Sequence, residues 1–470
     1  MSSEVEAKRG GSKGPLALLI IALVGLYGFG GYSLLILITP WLPTIETLLN
    51  AVLVLAFPWI AGYWWAIFLF ITLLVVFGFV FAYLILRLMK RAAAATLKVL
   101  WILEAIALTV TGVVMVFLIP FPFGLFGLFF GLIGLLQFWV WFRRRQKLRR
   151  AGKLAEFTAT LLLQEREMFI APLVTAIFSL VTGILMLATF GVIYFNLPLI
   201  GVSTESWLFL IVLILVEGAF MFVYFAVFYV FDGINVSVAH TWYRGEDPTL
   251  HDARAEVGSV LGTLLAFAGV RTLVAMLQSA AQRGGRKGGG VWAIIGLIAA
   301  RIIGAIFRFI TYFTLPAIII EHRGLKDSIR RSAHTTWKYL VDVYIAETGV
   351  STVFTFFGGL LSLGYFAVGF LFGYLMSYFV IGPDLFLALF VGLLFAIIFL
   401  IFAAIPSYFI FRPLNTAYRT FMFAYALDEE GGFKLPSRLP KEYRDTIEAA
   451  QSEWEASGKK RHMLEPPGEW

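Results

Sequence analysis

The chain has no cysteine, which excludes disulfides, thiolate metal sites and thiol catalysis together. Charge is scarce as well: 14% of the 470 residues are charged, against about a quarter in ordinary soluble domains. The five histidines, His240, His251, His322, His334 and His462, include no close ligand pair. His240, Glu246, Asp247, His251 and Asp252 fall in one polar stretch that reads as a solvated segment, so no metal is expected. There is no nucleophile elbow, zincin helix or phosphate loop. Gly284–Gly290 lacks the Lys-Ser/Thr ending of a nucleotide loop and reads as a flexible, cationic connector. No enzymatic activity and no cofactor are expected.

What is present is apolar length. At 60% hydrophobic, the chain holds six nearly uncharged stretches long enough to span a bilayer. These are Leu16–Ile38, Ala61–Leu86, Val99–Ile119, Phe121–Phe142, Ile170–Phe195 and Trp207–Phe231, and Val350–Val380 and Leu385–Phe411 add two more. Leu16–Ile38 follows Lys8, Arg9 and Lys13, but its apolar run is too long for a signal peptide and reads as a retained first span. The fold class is therefore an all-α, polytopic transmembrane helical bundle of about eight spans. The net charge of +8 comes mostly from short loops around Lys90–Arg91, Arg143–Lys153 and Arg323–Arg331. The alternate loops, Thr39–Pro58, Asn196–Ser206 and Ile381–Asp384, have no Lys or Arg. The positive-inside rule then puts both termini in the cytoplasm, with the cell membrane as location. The run RRRQKLRR reads as topology control with contact to anionic lipid headgroups, not as a nucleic-acid site.

Two apolar segments between Val257 and Ile320 break the pattern, because they carry Arg271, Arg301 and Arg308 and flank the basic loop QRGGRKGGG, Gln282–Gly290. A central Arg costs about 2.5–3.5 kcal/mol to insert, and each Leu, Ile, Phe or Val returns roughly 0.3–0.6 kcal/mol. For Val291–Ile320 gain and cost are of order 5–9 and 5–7 kcal/mol, so insertion is marginal. A full hairpin would also place Arg283, Arg286 and Lys287 outside. The expectation is a half-inserted or interfacial helical pair, residues 252–320, with snorkelling arginines. The alternative is a true hairpin with its arginines facing a polar interior.

A shift of 180 positions aligns Ile170–Phe195 with Val350–Leu375 and Trp207–Phe231 with Leu387–Phe411. Each pair follows a charged, partly amphipathic lead-in, EFTATLLLQEREMF or RSAHTTWKYLVDVY. At the exit Phe231–Asn235 matches Phe411–Asn415. This suggests a parallel repeat, residues 151–235 and 331–415, with an elbow at Asn235 and at Asn415, as among transporters. Chance likeness of apolar segments is the alternative. Gly124, Gly127, Gly131 and Gly134 share one helix face, for packing within the subunit or in an oligomer. Glu217, Glu104 and Glu347 are the expected counter-charges for Arg301 and Arg308. With Ser351 and Thr355, continuing to Ser362, Glu347 forms a polar stripe fit for a water-filled path, each Glu alternatively serving a buried ion pair.

Around Pro316 the chain reads YFTLPAIIIEHRGLKDSIRRSAHTTW: a helix broken at Pro316, a turn over Glu321–Lys326 and an amphipathic helix over Asp327–Tyr339, with Glu321 capping it or paired with Arg323 or Arg330. With GEDP at Gly245–Pro248, and Tyr418, Arg419, Tyr425 and Ala426, this segment carries a resemblance over about residues 157–433. In Pro316, Glu321, Gly324, Arg331, Ser332 and Trp337 the chain resembles an uncharacterised family of prokaryotic polytopic membrane proteins, a domain of unknown function. The resemblance implies a fold and no chemistry. His322 and Arg323 depart from the family pattern, where small or apolar residues are usual.

These readings divide the chain into a four-span module (1–150), a membrane core (151–436) and a cytoplasmic tail (437–470). Transport or permeation of a small solute or lipid-like molecule is the expected function, and a membrane scaffold or accessory subunit is the alternative. Expected partners are membrane lipids, including anionic headgroups, with a membrane-protein partner or a second copy also open, and no nucleic acid.

Overall fold

The computed structural model describes residues 13–41, 43–44, 47, 64–120, 124–198, 201–203, 206–288, 290–382, 384–430 and 444. The expected tail, 437–470, apart from residue 444, and much of the Thr39–Pro58 loop lie outside them. Among the described residues the α-helices are, in order, α1 (Lys13–Ile38), α2 (Trp64–Leu118), α3 (Leu125–Arg143), α4 (Arg145–Gln164), α5 (Ile170–Asn196), α6 (Trp207–Tyr243), α7 (Leu250–Ser259), α8 (Leu261–Gly288), α9 (Gly290–Ile310), α10 (Thr314–Glu321), α11 (Leu325–Lys338), α12 (Leu340–Tyr344), α13 (Ser351–Met376) and α14 (Leu385–Glu429). No strand occurs among the described residues. π-helical turns at Ile345–Val350 and Ser377–Ile381 flank α13.

Among the described residues, eight helices are long and apolar enough to cross a membrane. The number agrees with expectation and the membership does not. Of Ala61–Leu86 and Val99–Ile119, expected as two spans, residues 64–86 and 99–118 lie on the single 55-residue helix α2. The linker between them, KRAAAATLK, contains four alanines, the best helix formers, and neither Gly nor Pro occurs between Gly78 and Gly112. At 1.5 Å per residue that length is about 82 Å, more than twice the hydrocarbon thickness. The Asn235 and Asn415 elbows are absent too: α6 runs through to Tyr243 and α14 to Glu429, past Pro406 and Pro413.

The region around Pro316 follows its sequence closely. The apolar helix α9 stops at Ile310 and α10 restarts with Pro316 in its first turn, where its missing N–H costs nothing. His322, left-handed at φ 52°, ends α10, and α11 begins at Leu325.

The helices form two compact units. The first comprises α1, α5, α6 to Val238 and α7–α11 to Thr336; the second comprises α2 beyond Thr72, α3, α4, residues 239–247 and the chain from Trp337. The expected 1–150 module therefore does not hold together: α1 packs on α5 and α8, while α3 packs on α4 in the second unit. In the first unit Leu19 of α1, Ala226 of α6, and Leu261, Leu265 and Ala268 of α8 form a core ringed by Phe222, Phe225 and Tyr229.

That core bears on the arginine-bearing pair. The start of α8 lies level with the start of α1, Gly262 beside Pro15, and farther along α8 Met276 reaches Gly218 in the middle of α6. So α8 runs along α1 and α6 rather than across their ends, and α9 folds back against it. The pair is a helical hairpin whose two arms are each of membrane length. The Gln282–Gly290 connector is helical to Gly288 and again from Gly290, so its glycines, at about 1 kcal/mol each, extend the helices.

In the second unit α13 and α14 close on each other through glycine. A Cβ added at Gly369 would meet Phe399 Cβ at 2.7 Å, and one at Gly373 would meet Val391 O at 2.7 Å. The expected glycine face is used in the same way within the chain: Gly127 and Gly134 press on Gly112 and Thr109 of α2. Gly124 abuts the carbonyl of Ile119, whereas the Cα–H of Gly131 points to open space.

Two outcomes follow. Gly127→Ala puts a methyl 2.5 Å from the Gly112 carbonyl and is expected to cost about 1–3 kcal/mol, read as a lower melting temperature in detergent, while Gly131→Ala leaves it unchanged. In this cysteine-free chain, an impermeant thiol reagent is expected to reach Gly285→Cys and Pro15→Cys from opposite sides of the membrane; same-side labelling contradicts a crossing hairpin.

Candidate functional site

Glu217 stands ten residues into α6, on the helix face turned toward α5. With Phe190, Gly191, Tyr194, Phe195 and Leu213 it lines an open cavity of about 430 Å³. The cavity exists because α5 and α6 diverge: they meet at Tyr194 and Phe209, ring centroids 6.1 Å apart, but do not pack closely along their lengths. Their glycines serve other neighbours. Gly191 of α5 packs on Leu37 of α1, and Gly218 of α6 on Met276 of α8. A half-buried carboxylate thus shares a pocket with three aromatic rings. Such a site suits a ligand with an apolar body and a cationic or hydrogen-bond-donating group.

The other residues expected along a polar path are not gathered here. Arg301 and Arg308 are exposed on α9. Glu347 pairs with Arg419 of α14, Nη2 to Oε1 2.8 Å. Glu104 accepts from the Thr352 hydroxyl at 3.2 Å. Ser351 and Thr355 face outward, and the Thr355 hydroxyl donates to the Ser351 carbonyl at 2.9 Å, so it is satisfied within its own helix. Asn235 is fully buried and Asn415 exposed, its amide donating to Phe411 O at 2.8 Å; the aligned pair does not share an environment.

Arg271 behaves differently from the other two arginines. Its guanidinium lies between the rings of Phe225 and Phe307, 5.3 Å from each centroid. Each such contact returns about 0.5–2 kcal/mol, comparable in sum with the roughly 2.5–3.5 kcal/mol cost of inserting the charge.

The Glu321 segment forms an ion-pair cluster in the first unit. The Glu321 side chain, 6% exposed, meets Arg323 Nε at 2.6 Å and Arg331 Nε at 3.4 Å, so Arg331 stands where Arg330 was an alternative. Ser332 accepts from the Phe313 N–H at 2.9 Å, tying α11 to the break before α10. Pro316 is buried and Gly324 exposed in the turn. His322, at the end of α10, contacts Glu256 and Ser259 of α7.

A second cluster was not anticipated. Asp428, fully buried near the end of α14, accepts from Tyr243 Oη at 2.9 Å and from Arg244 Nη1 at 3.0 Å. Tyr339 donates to Glu429 at 3.0 Å, and burial beside that carboxylate raises its pKa, so it stays protonated. Lys338 pairs with Glu430 at 2.9 Å, and Lys147 with Asp342 at 2.5 Å. The sequence signal was slight: an Asp after a long apolar run, and an Arg just before GEDP. No group of three or more His, Cys, Asp or Glu side chains fit to hold a metal occurs among the described residues.

Comparisons with protein-family models and with curated proteins find no match. The class rests on the fold: a multi-pass, all-helical integral membrane protein.

Removing Asp428 takes from the half-buried Arg244 the carboxylate it pairs with. Asp428→Ala is expected to lower stability by about 3–5 kcal/mol, and Asp428→Asn, which keeps one acceptor, by less, both measured by thermal unfolding in detergent.

Proposed function

We propose that this protein transports, or provides a path for, a small amphipathic or lipid-like molecule that binds in the Glu217 cavity. The observation that carries the reading is the pairing of an ionisable side chain within a span with a 430 Å³ aromatic pocket. Carboxylates at membrane depth are costly, and they mark substrate or ion pathways, proton relays or ligand counter-ions. The repeat belongs to the same proposal: α5–α6 and α13–α14 are successive helix pairs of similar order, one splayed and one closed, as two halves of a transporter differ when they alternate. In this reading the protein is not an enzyme and takes no cofactor, it sits in the cell membrane with both termini cytoplasmic, and its relation to the uncharacterised family lies in the Glu321 segment. The scaffold reading loses support, since Gly127 and Gly134 already pack within the chain.

The test uses tetraphenylphosphonium, an apolar cation, as probe. Binding to the purified protein and flux in proteoliposomes are expected to fall about tenfold or more in Glu217→Gln, the loss of a charge-assisted contact in an apolar pocket. Arg308→Ala, at an outward-facing position, leaves both unchanged. Wild-type protein that neither binds nor moves the probe or any lipid analogue sinks the reading.

A further inference from the structure

A second cavity, of about 370 Å³, opens in the second unit where α3 ends and α4 begins, lined by Lys98, Trp141, Arg145, Gln146, Leu148 and Arg149. Three of its six lining residues are cations and none is an acid. Arg145 is exposed, and its guanidinium lies over the rings of Trp141 and Phe142, 5.8 Å from each centroid, at the mouth of the pocket. Of the lysines on α4, Lys147 pairs with Asp342 and Lys153 with Glu156.

Position identifies the ligand chemistry. Trp141 and Phe142 stand in the last turn of the apolar helix α3, the depth at which aromatic side chains mark the hydrocarbon edge. From there an exposed apolar strip, Leu128, Leu132, Leu135 and Trp139, runs back along α3. A molecule whose phosphate occupies the pocket would lay its acyl chains on that strip. We infer that Lys98, Arg145 and Arg149 form a binding site for the headgroup of an anionic phospholipid, with the phosphate between the three cations and Gln146 available to the headgroup hydroxyls. The volume, equal to roughly a dozen waters, accommodates a phosphoglycerol group. Arginine supplies forked donors for phosphate oxygens, and lysine a point charge. The site is independent of the Glu217 cavity.

The full chain, purified in detergent, is titrated with phosphatidylglycerol, phosphatidylcholine or glycerol 3-phosphate, and retained adducts are read by native mass spectrometry. Phosphatidylglycerol is expected to be retained about tenfold or more over phosphatidylcholine, and Lys98→Gln/Arg145→Gln/Arg149→Gln to abolish that preference. Lys90→Gln/Arg143→Gln/Arg144→Gln removes equal charge from exposed positions outside the pocket and is expected to keep it. Equal retention of the two lipids, equal loss in the control variant, or competition by glycerol 3-phosphate at matched concentration overturns the site: the first removes its selectivity, the second reduces it to diffuse attraction, and the third makes the ligand soluble. Should the triple variant not fold, Arg145→Gln alone is expected to weaken retention about fivefold, and no change in it overturns the proposal equally.

Discussion

Close backbone approach governs this structure. Inside a bilayer two apolar helix faces gain nothing from leaving water, so association depends on packing, and packing depends on small residues at the contact. Where glycines meet a neighbouring helix, as at Gly369 and Gly373 on α13 or Gly127 against Gly112, the helices close. Where the glycines of two consecutive helices are committed elsewhere, as Gly191 is to α1 and Gly218 to α8, the pair stays apart. The Glu217 cavity is the direct product: its walls are the Phe, Tyr and Leu side chains that keep α5 and α6 from closing.

The charged groups obey a second constraint, that an ionised side chain leaving water must bring a partner. Glu321, Glu347 and Asp428 each meet this with an arginine: Arg323 and Arg331, Arg419, and Arg244. Two of these three acids accept from an arginine distant in sequence, so each pair joins separate helices and fixes their register. Arg271 takes the unusual solution of two aromatic faces. Arg301 and Arg308 remain outside this pairing, exposed on the outer face of α9.

Much of the local structure was legible. The helix break at Pro316, the turn after Glu321 and the amphipathic helix beyond it follow from proline's missing donor and a change in hydrophobic period. Glu217 stood out as an acid within a span. The partners of the charges were not legible, because helical spacing tells which residues share a face but not which neighbour that face meets. Arg301 and Arg308 share a face as expected, and that face meets no acid the sequence suggested. Insertion arithmetic scores a helix against lipid alone and so does not register that Arg271 is sheltered by rings from α6 and α9.

The sequence by itself determined that this is an all-helical membrane protein, roughly how many spans it has, and where proline and glycine interrupt them. Those properties depend on transfer from water to hydrocarbon and on backbone hydrogen bonding, both local to a segment. Only the tertiary structure decided that KRAAAATLK continues a helix, that α1 belongs with α5 and α8, that α5 and α6 part around Glu217, and that three cations converge beside Trp141. Each is a matter of which faces meet, and in a medium where nearly every face is apolar, shape and paired charge make that choice.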